Sequence, residues 1–148
     1  MKKLFIYFSL TGNGDFVASK MEEKGYELRK VKEKKKASKV FFFRVFWGGF
    51  RAGLGLKGKL IDYDNNVEGY DEIVIGSPVW NGKFPPAINS VLKQTDLSNA
   101  KLTFLFYSGS GDEPKVSKKI YKLFPKAKII VMKEPHKHEA QLEKIKDM

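Results

Sequence analysis

A chain of 148 residues with 42% hydrophobic and 14% aromatic content can bury one sizeable core and is too apolar to be disordered. Its 28 Lys and Arg against 17 Asp and Glu leave a formal charge of +11, a surface that attracts nucleic acid, acidic proteins or phosphorylated small molecules. With no cysteine, disulfides, thiolate catalysis and cysteine-ligated metals are excluded, and no apolar run approaches the roughly 20 residues of a membrane span.

Met1-Lys2-Lys3 before an apolar stretch resembles the start of a signal peptide. The run ends by Leu10 with no small-residue cleavage pattern, so it reads as a first strand and the expected compartment is the cytoplasm. That strand stops at the small residues Ser9 to Gly14, after which helical spacing over about 13–24 puts Phe16, Val17 and Met21 on one side. A strand, a small-residue turn and a helix start gather N–H groups and hydroxyls at the positive end of a helix, where a phosphate can sit. An ordinary turn uses Gly and Asn for positive φ but needs no pair of hydroxyls like Ser9 and Thr11. A P-loop requires Gly-Lys-Ser/Thr, and no Lys follows Gly12 or Gly14. The dinucleotide fingerprint requires a third small residue near Val17 and an acid closing the second strand, where Arg29, Lys30 and Lys32 stand.

Gly25 stops the helix and Tyr26–Val31 forms a second strand. The basic run from Arg29 to Lys36, joined by Lys39, reads as a solvated strand end and loop. No zinc-finger, RNA-binding or helix-turn-helix signature accompanies it. Residues 40–53 have helical spacing, with Phe42, Phe43, Phe46, Trp47 and Phe50 on one stripe that reads as core, with a wall of the ligand site or a partner surface as alternatives, and 54–70 is a Gly-, Asp- and Asn-rich surface excursion. Ile73–Gly76 is a third strand, running into Ser77–Pro86. Pro85 or Pro86 opens a helix over Ala87 to Lys93. Lys101–Phe106 is the fourth strand, ending in Tyr107–Asp112, and Pro114 starts a helix to about Phe124. Ala127–Met132 is the fifth strand, and a polar helix near 137–147 closes the chain. His136 and His138, two apart, splay on a helix and read as surface rather than as a metal pair.

Five alternations of strand and helix predict one α/β domain over 1–148: a doubly wound open sheet of five parallel strands with helices on both faces. In such a sheet ligands bind beyond the carboxyl ends of the strands, where strand order reverses. Order 2-1-3-4-5 brings the turns after strands one, three and four to one edge.

Three stretches carry a resemblance: Ser9-x-Thr11-Gly12-Asn13, then Tyr70-Asp71-x-Ile73-x-Ile75-Gly76-Ser77-Pro78-Val79-Trp80, and Tyr107-Ser108-Gly109-Ser110-Gly111. In order and spacing the chain resembles the flavodoxin family over nearly its whole length, and its uninterrupted fifth strand resembles the short-chain group. The resemblance implies a flavodoxin-like fold, with the FMN phosphate held by Ser9, Thr11, Gly12, Asn13 and Gly14. It implies that Ser77, Pro78, Val79, Trp80, Asn81 and Gly82 border the flavin ring, with Trp80 stacked on it. Tyr107, Ser108, Gly109 and Gly111 would surround its pyrimidine end, and a peptide flip at Asn81-Gly82 would aim a carbonyl at flavin N5. The chain departs from the family at Gly14, where a hydroxyl is usual, and in the missing second aromatic at Ser108 to Asp112, unless Tyr107 turns inward. It is also basic, with Lys83 beside the expected ring. The expected function is an FMN-bound electron carrier serving redox proteins with acidic docking surfaces. The alternatives are an NAD(P)H-dependent flavin or quinone reductase and a basic adaptor that uses the fold as scaffold.

Overall fold

The computed structural model describes residues 1–33 and 60–148. The aromatic segment 40–53, the lysines at 34–36 and 39, and the first part of the excursion expected over 54–70 lie outside the described residues. Five parallel strands, β1 (Lys3–Tyr7), β2 (Glu27–Lys30), β3 (Glu72–Pro78), β4 (Lys101–Ser108) and β5 (Lys128–Lys133), form one sheet in the order β2-β1-β3-β4-β5. The crossovers carry α1 (Asn13–Glu23), α2 (Pro86–Gln94) and α3 (Pro114–Leu123). Pro86 opens α2 and Pro114 opens α3, where a missing N–H costs the helix nothing.

Both sheet faces are covered, which is why β1, β3 and β4 are near-continuous apolar runs rather than alternating ones. One face packs Ile6, Ile75, Phe104 and Phe106 against Ile88 and Val91 of α2 and Val116 and Ile120 of α3. The other packs Phe5, Tyr7, Val74 and Tyr107 against Val17, Ala18 and Met21 of α1 and Ile145 near the C-terminus. The polar helix expected near 137–147 is a 3-10 helix over Glu139–Ile145. Within it only Ile145 is buried and no side chain caps its start, so little apolar area holds a full α-helical turn in place. No helix among the described residues is long and apolar enough to cross a membrane.

At the amino-terminal end of the sheet Tyr26 donates a 2.6 Å hydrogen bond to the buried carboxylate of Glu72. Burial first, then this bond, pushes the Tyr26 phenol well up; burial raises Tyr7, Tyr63, Tyr70 and Tyr107 too. A phenol whose folded value exceeds its unfolded value of about 10 stabilises fully below that pH, and the contribution is lost as pH climbs through the folded value. Denaturation midpoints are therefore expected to be insensitive to these groups at neutral pH and to fall above about pH 10. Tyr26→Phe should flatten that alkaline limb; an identical limb in the variant would remove Tyr26 from the effect.

Candidate functional site

Pairing of β1 with β3, and of β3 with β4, carries three strand ends to one edge: Tyr7 lies opposite Gly76, and Pro78 opposite Tyr107. Beyond the strands the backbone keeps them together. The Phe8 N–H donates to the Gly76 carbonyl at 3.1 Å, and the Val79 N–H to the Tyr107 carbonyl at 3.3 Å. The three small-residue turns therefore adjoin.

The turn after β1 opens directly into α1. Gly12 caps the helix in the left-handed region (φ 91°) with no side-chain cap bond. Its carbonyl accepts the Phe16 N–H at 2.9 Å. The Ser9 hydroxyl accepts the Asp15 N–H at 3.3 Å, and exposed Thr11 accepts from the Asn13 side-chain amide at 3.4 Å. The N–H groups of Thr11, Gly12, Asn13 and Gly14 donate to no acceptor among the described residues. Unpaired donors at the positive end of an 11-residue helix, beside two hydroxyls, suit a phosphate group.

Beneath this turn lies a contact no motif announces. A Cβ on Gly76 would sit 2.5 Å from the Phe5 ring and 3.0 Å from the Tyr107 hydroxyl. The bare backbone there lets Tyr107 of β4 reach across β3 and donate to the Phe8 carbonyl at 3.1 Å. The same hydroxyl stands 2.9 Å from where a Cβ on Gly14 would lie, with Ser9 Cβ at 2.7 Å and the Phe8 carbonyl at 2.9 Å. Position 14 thus has no room for a hydroxyl residue. Tyr107 is 3% exposed and turned into the core, so its ring is no second aromatic at the site. Ser77 is likewise fully buried within β3, its hydroxyl donating to the Pro78 carbonyl at 2.8 Å.

Trp80 and Lys83 exchange two 2.9 Å backbone hydrogen bonds around Asn81 (φ 50°) and Gly82 (φ 68°). Positive φ at both central residues defines a type I′ turn. Reversing the Asn81–Gly82 peptide would convert it to type II′, whose first central position favours glycine, so the resistance to a flip resides at Asn81 rather than Gly82. The half-buried Trp80 indole meets Phe8 edge-on, with ring centroids 6.2 Å apart and planes at 76°. In the third turn Ser108 accepts the Gly111 N–H at 3.1 Å, Gly109 is exposed, and the Gly111 backbone (φ 77°) lies against the Lys133 stem.

Three contributors escaped the sequence reading. Asp15, an acid in the first turn of α1, is paired at 2.6 Å with Lys30 from the end of β2, which removes the repulsion an anion would meet there. Lys115 of α3 lays its stem on Gly82, 3.1 Å from a hypothetical Cβ. His136, expected to be plain surface, donates its backbone N–H to the Asn13 side chain at 3.1 Å and sets its ring edge-on to Phe16 at 5.9 Å. Asn13→Ala is expected to release the segment around His136, seen as faster amide exchange from Glu134 to His138 with global stability lowered by at most about 1 kcal/mol. Unchanged exchange there would remove Asn13 as its anchor.

The fold is an α/β flavodoxin-like one. No family model and no curated protein sequence matches the chain. Solved structures do match. A protein described as a flavoprotein from Bacteroides uniformis ATCC 8492 superposes with TM-score 0.73 at 20% identity, covering 86% of this chain and 88% of that one. A flavoprotein from Lactobacillus acidophilus NCFM, solved in complex with FMN, gives TM-score 0.69 at 22% identity over 95% of this chain and 97% of its own. The apo-form of the flavoprotein from the same organism gives 0.55 at 21% identity, covering 88% and 90%. At these identities the likeness establishes the fold.

Proposed function

We propose that this chain is a member of the flavodoxin family that holds FMN at the edge formed by β1, β3 and β4 and carries electrons between redox proteins of the cytoplasm, as one domain over 1–148. The observation that carries the reading is the union of three turns at one edge with unpaired helix-start donors in the first of them. A phosphate dianion suits the Ser9 and Thr11 hydroxyls and the N–H groups of Gly12, Asn13 and Gly14, with the Asp15 charge neutralised by Lys30. A flavin ring suits the edge beside Trp80, between the turn of Pro78, Val79, Asn81 and Gly82 and the turn of Ser108, Gly109 and Gly111. Ser77 and Tyr107 support it from below. FMN itself would supply the redox chemistry; the protein positions it and sets the charge around it. Lys83, exposed on the turn, and Lys115 on Gly82 add cations that favour electron uptake.

The test is an absorbance spectrum of purified protein followed by titration with FMN. A visible flavin band, or restoration of one on adding FMN, is expected; its absence in both would end the cofactor assignment. Holoprotein that oxidises NAD(P)H directly would be a reductase rather than a carrier, which needs a separate reductase to be loaded.

A further inference from the structure

From Pro114 through Lys133 the chain carries seven lysines and no acid. Four of them, Lys115, Lys118, Lys119 and Lys122, recur at helical i, i+3, i+4, i+7 spacing on α3, opposite the buried Val116 and Ile120. All four are exposed, and none has a carboxylate within ion-pair distance among the described residues. The stripe starts at the candidate cofactor edge: Lys115 lies on Gly82, Lys119 stands 5.4 Å over the Phe84 ring, and Lys83 projects from the turn between them. Two cations of β2 already have partners, Lys30 on Asp15 and Arg29 on the Asp64 and Asn66 carbonyls. Exposed Tyr121 (49%) and Leu123 (55%) on the same helix supply apolar anchors that a solvated lysine face does not need.

We propose that the α3 lysine face is the docking surface for an acidic redox protein, seated so that its own redox centre approaches the Trp80–Lys83 turn. That the partner is a redox protein rests on the FMN reading; that it is acidic rests on the stripe. Like charges with no internal counter-charge raise the local concentration of a negatively charged partner and orient it before contact, an effect that salt screens over about 8 Å at physiological ionic strength. A strip one helix wide and a few turns long fits an acidic protein patch.

The probe is an acidic [2Fe–2S] ferredoxin carrying a fluorescent label, titrated with the full chain at low and at physiological salt, with FMN absorbance read on the same preparation of the chain before the ferredoxin, whose cluster absorbs in the same region, is added. Wild-type protein should bind it, with affinity falling as salt rises. Lys118→Glu/Lys122→Glu, both away from the cofactor turn, should weaken binding by about tenfold or more at low salt. A control of equal charge, Lys32→Glu/Lys93→Glu, should change it less than about twofold. No ferredoxin binding by wild type, or equal losses in the two double variants, overturns the proposal. So does tighter binding of duplex DNA than of ferredoxin with the α3 variant abolishing it, which would give the face to nucleic acid. Ferredoxin binding without a flavin band would end the FMN reading and leave the docking face standing; a flavin band without ferredoxin binding would do the reverse.

Discussion

Replacing Gly14 with threonine, the kind of residue the flavodoxin resemblance puts there, is expected to harm the protein rather than improve it. The added Cβ would meet Ser9 Cβ at 2.7 Å, the Phe8 carbonyl at 2.9 Å and the Tyr107 hydroxyl at 2.9 Å. Two of these are backbone or backbone-proximal atoms, so the turn itself must shift. Overpacking of this kind costs about 1–3 kcal/mol, and the displaced turn is the one assigned to phosphate. Chemical denaturation should show the loss in stability, and FMN titration should show weaker binding despite the new hydroxyl. Tyr107→Phe added to Gly14→Thr removes only one of the three obstacles, so it should rescue part of the loss and show non-additivity. Alone, Tyr107→Phe leaves the Phe8 carbonyl without the donor it has at 3.1 Å and should cost about 1–3 kcal/mol. If Gly14→Thr matched wild type in both stability and FMN affinity, the close approach of Tyr107 would lose its importance.

Trp80→Ala is expected to produce the largest loss of FMN affinity from a single truncation. The indole is half-buried on the β3 turn and is held at one edge by Phe8. Burial of an apolar face against it and offset stacking together contribute on the order of 2–4 kcal/mol, roughly a 30- to 1,000-fold change in dissociation constant. Trp80→Phe keeps an aromatic face and should retain most of the affinity. The truncation also removes the Phe8 contact, so a denaturation curve separates the two roles. A variant that loses stability but binds FMN as wild type does would mark Trp80 as a neighbour of Phe8 and nothing more.

Much of this architecture was legible from local pattern. β1, β3, β4 and β5 carry apolar runs of strand length, and each α-helix begins at a proline or a small-residue turn, so most of the element order and type follows from rules that act within a few residues. Strand order followed too, because parallel crossovers and the ligand edge of a doubly wound sheet leave few arrangements. The lysine stripe of α3 is also written in the spacing of 115, 118, 119 and 122, as plainly as the denser basic run at 29–36. In the structure Arg29 and Lys30 of that run bind Asp64, Asn66 and Asp15. The form of the last helix was not legible: its polar composition permits several helical forms, and only the sparse packing around Ile145 selects one.

The sequence by itself determined that a small-residue turn follows β1, β3 and β4, because turn chemistry is written in the residues that make the turn. What the tertiary structure alone decided is what surrounds those turns. Tyr107 reaches Phe8 across 99 positions of chain, through the gap left by Gly76, and so excludes a side chain at Gly14. Lys30 neutralises Asp15 from a different element, and His136 secures Asn13 from 123 residues away. Strand register sets the first of these contacts and the packing of α1 beside β2 and the segment after β5 sets the others; both place distant residues within hydrogen-bond distance, which no spacing along the chain encodes.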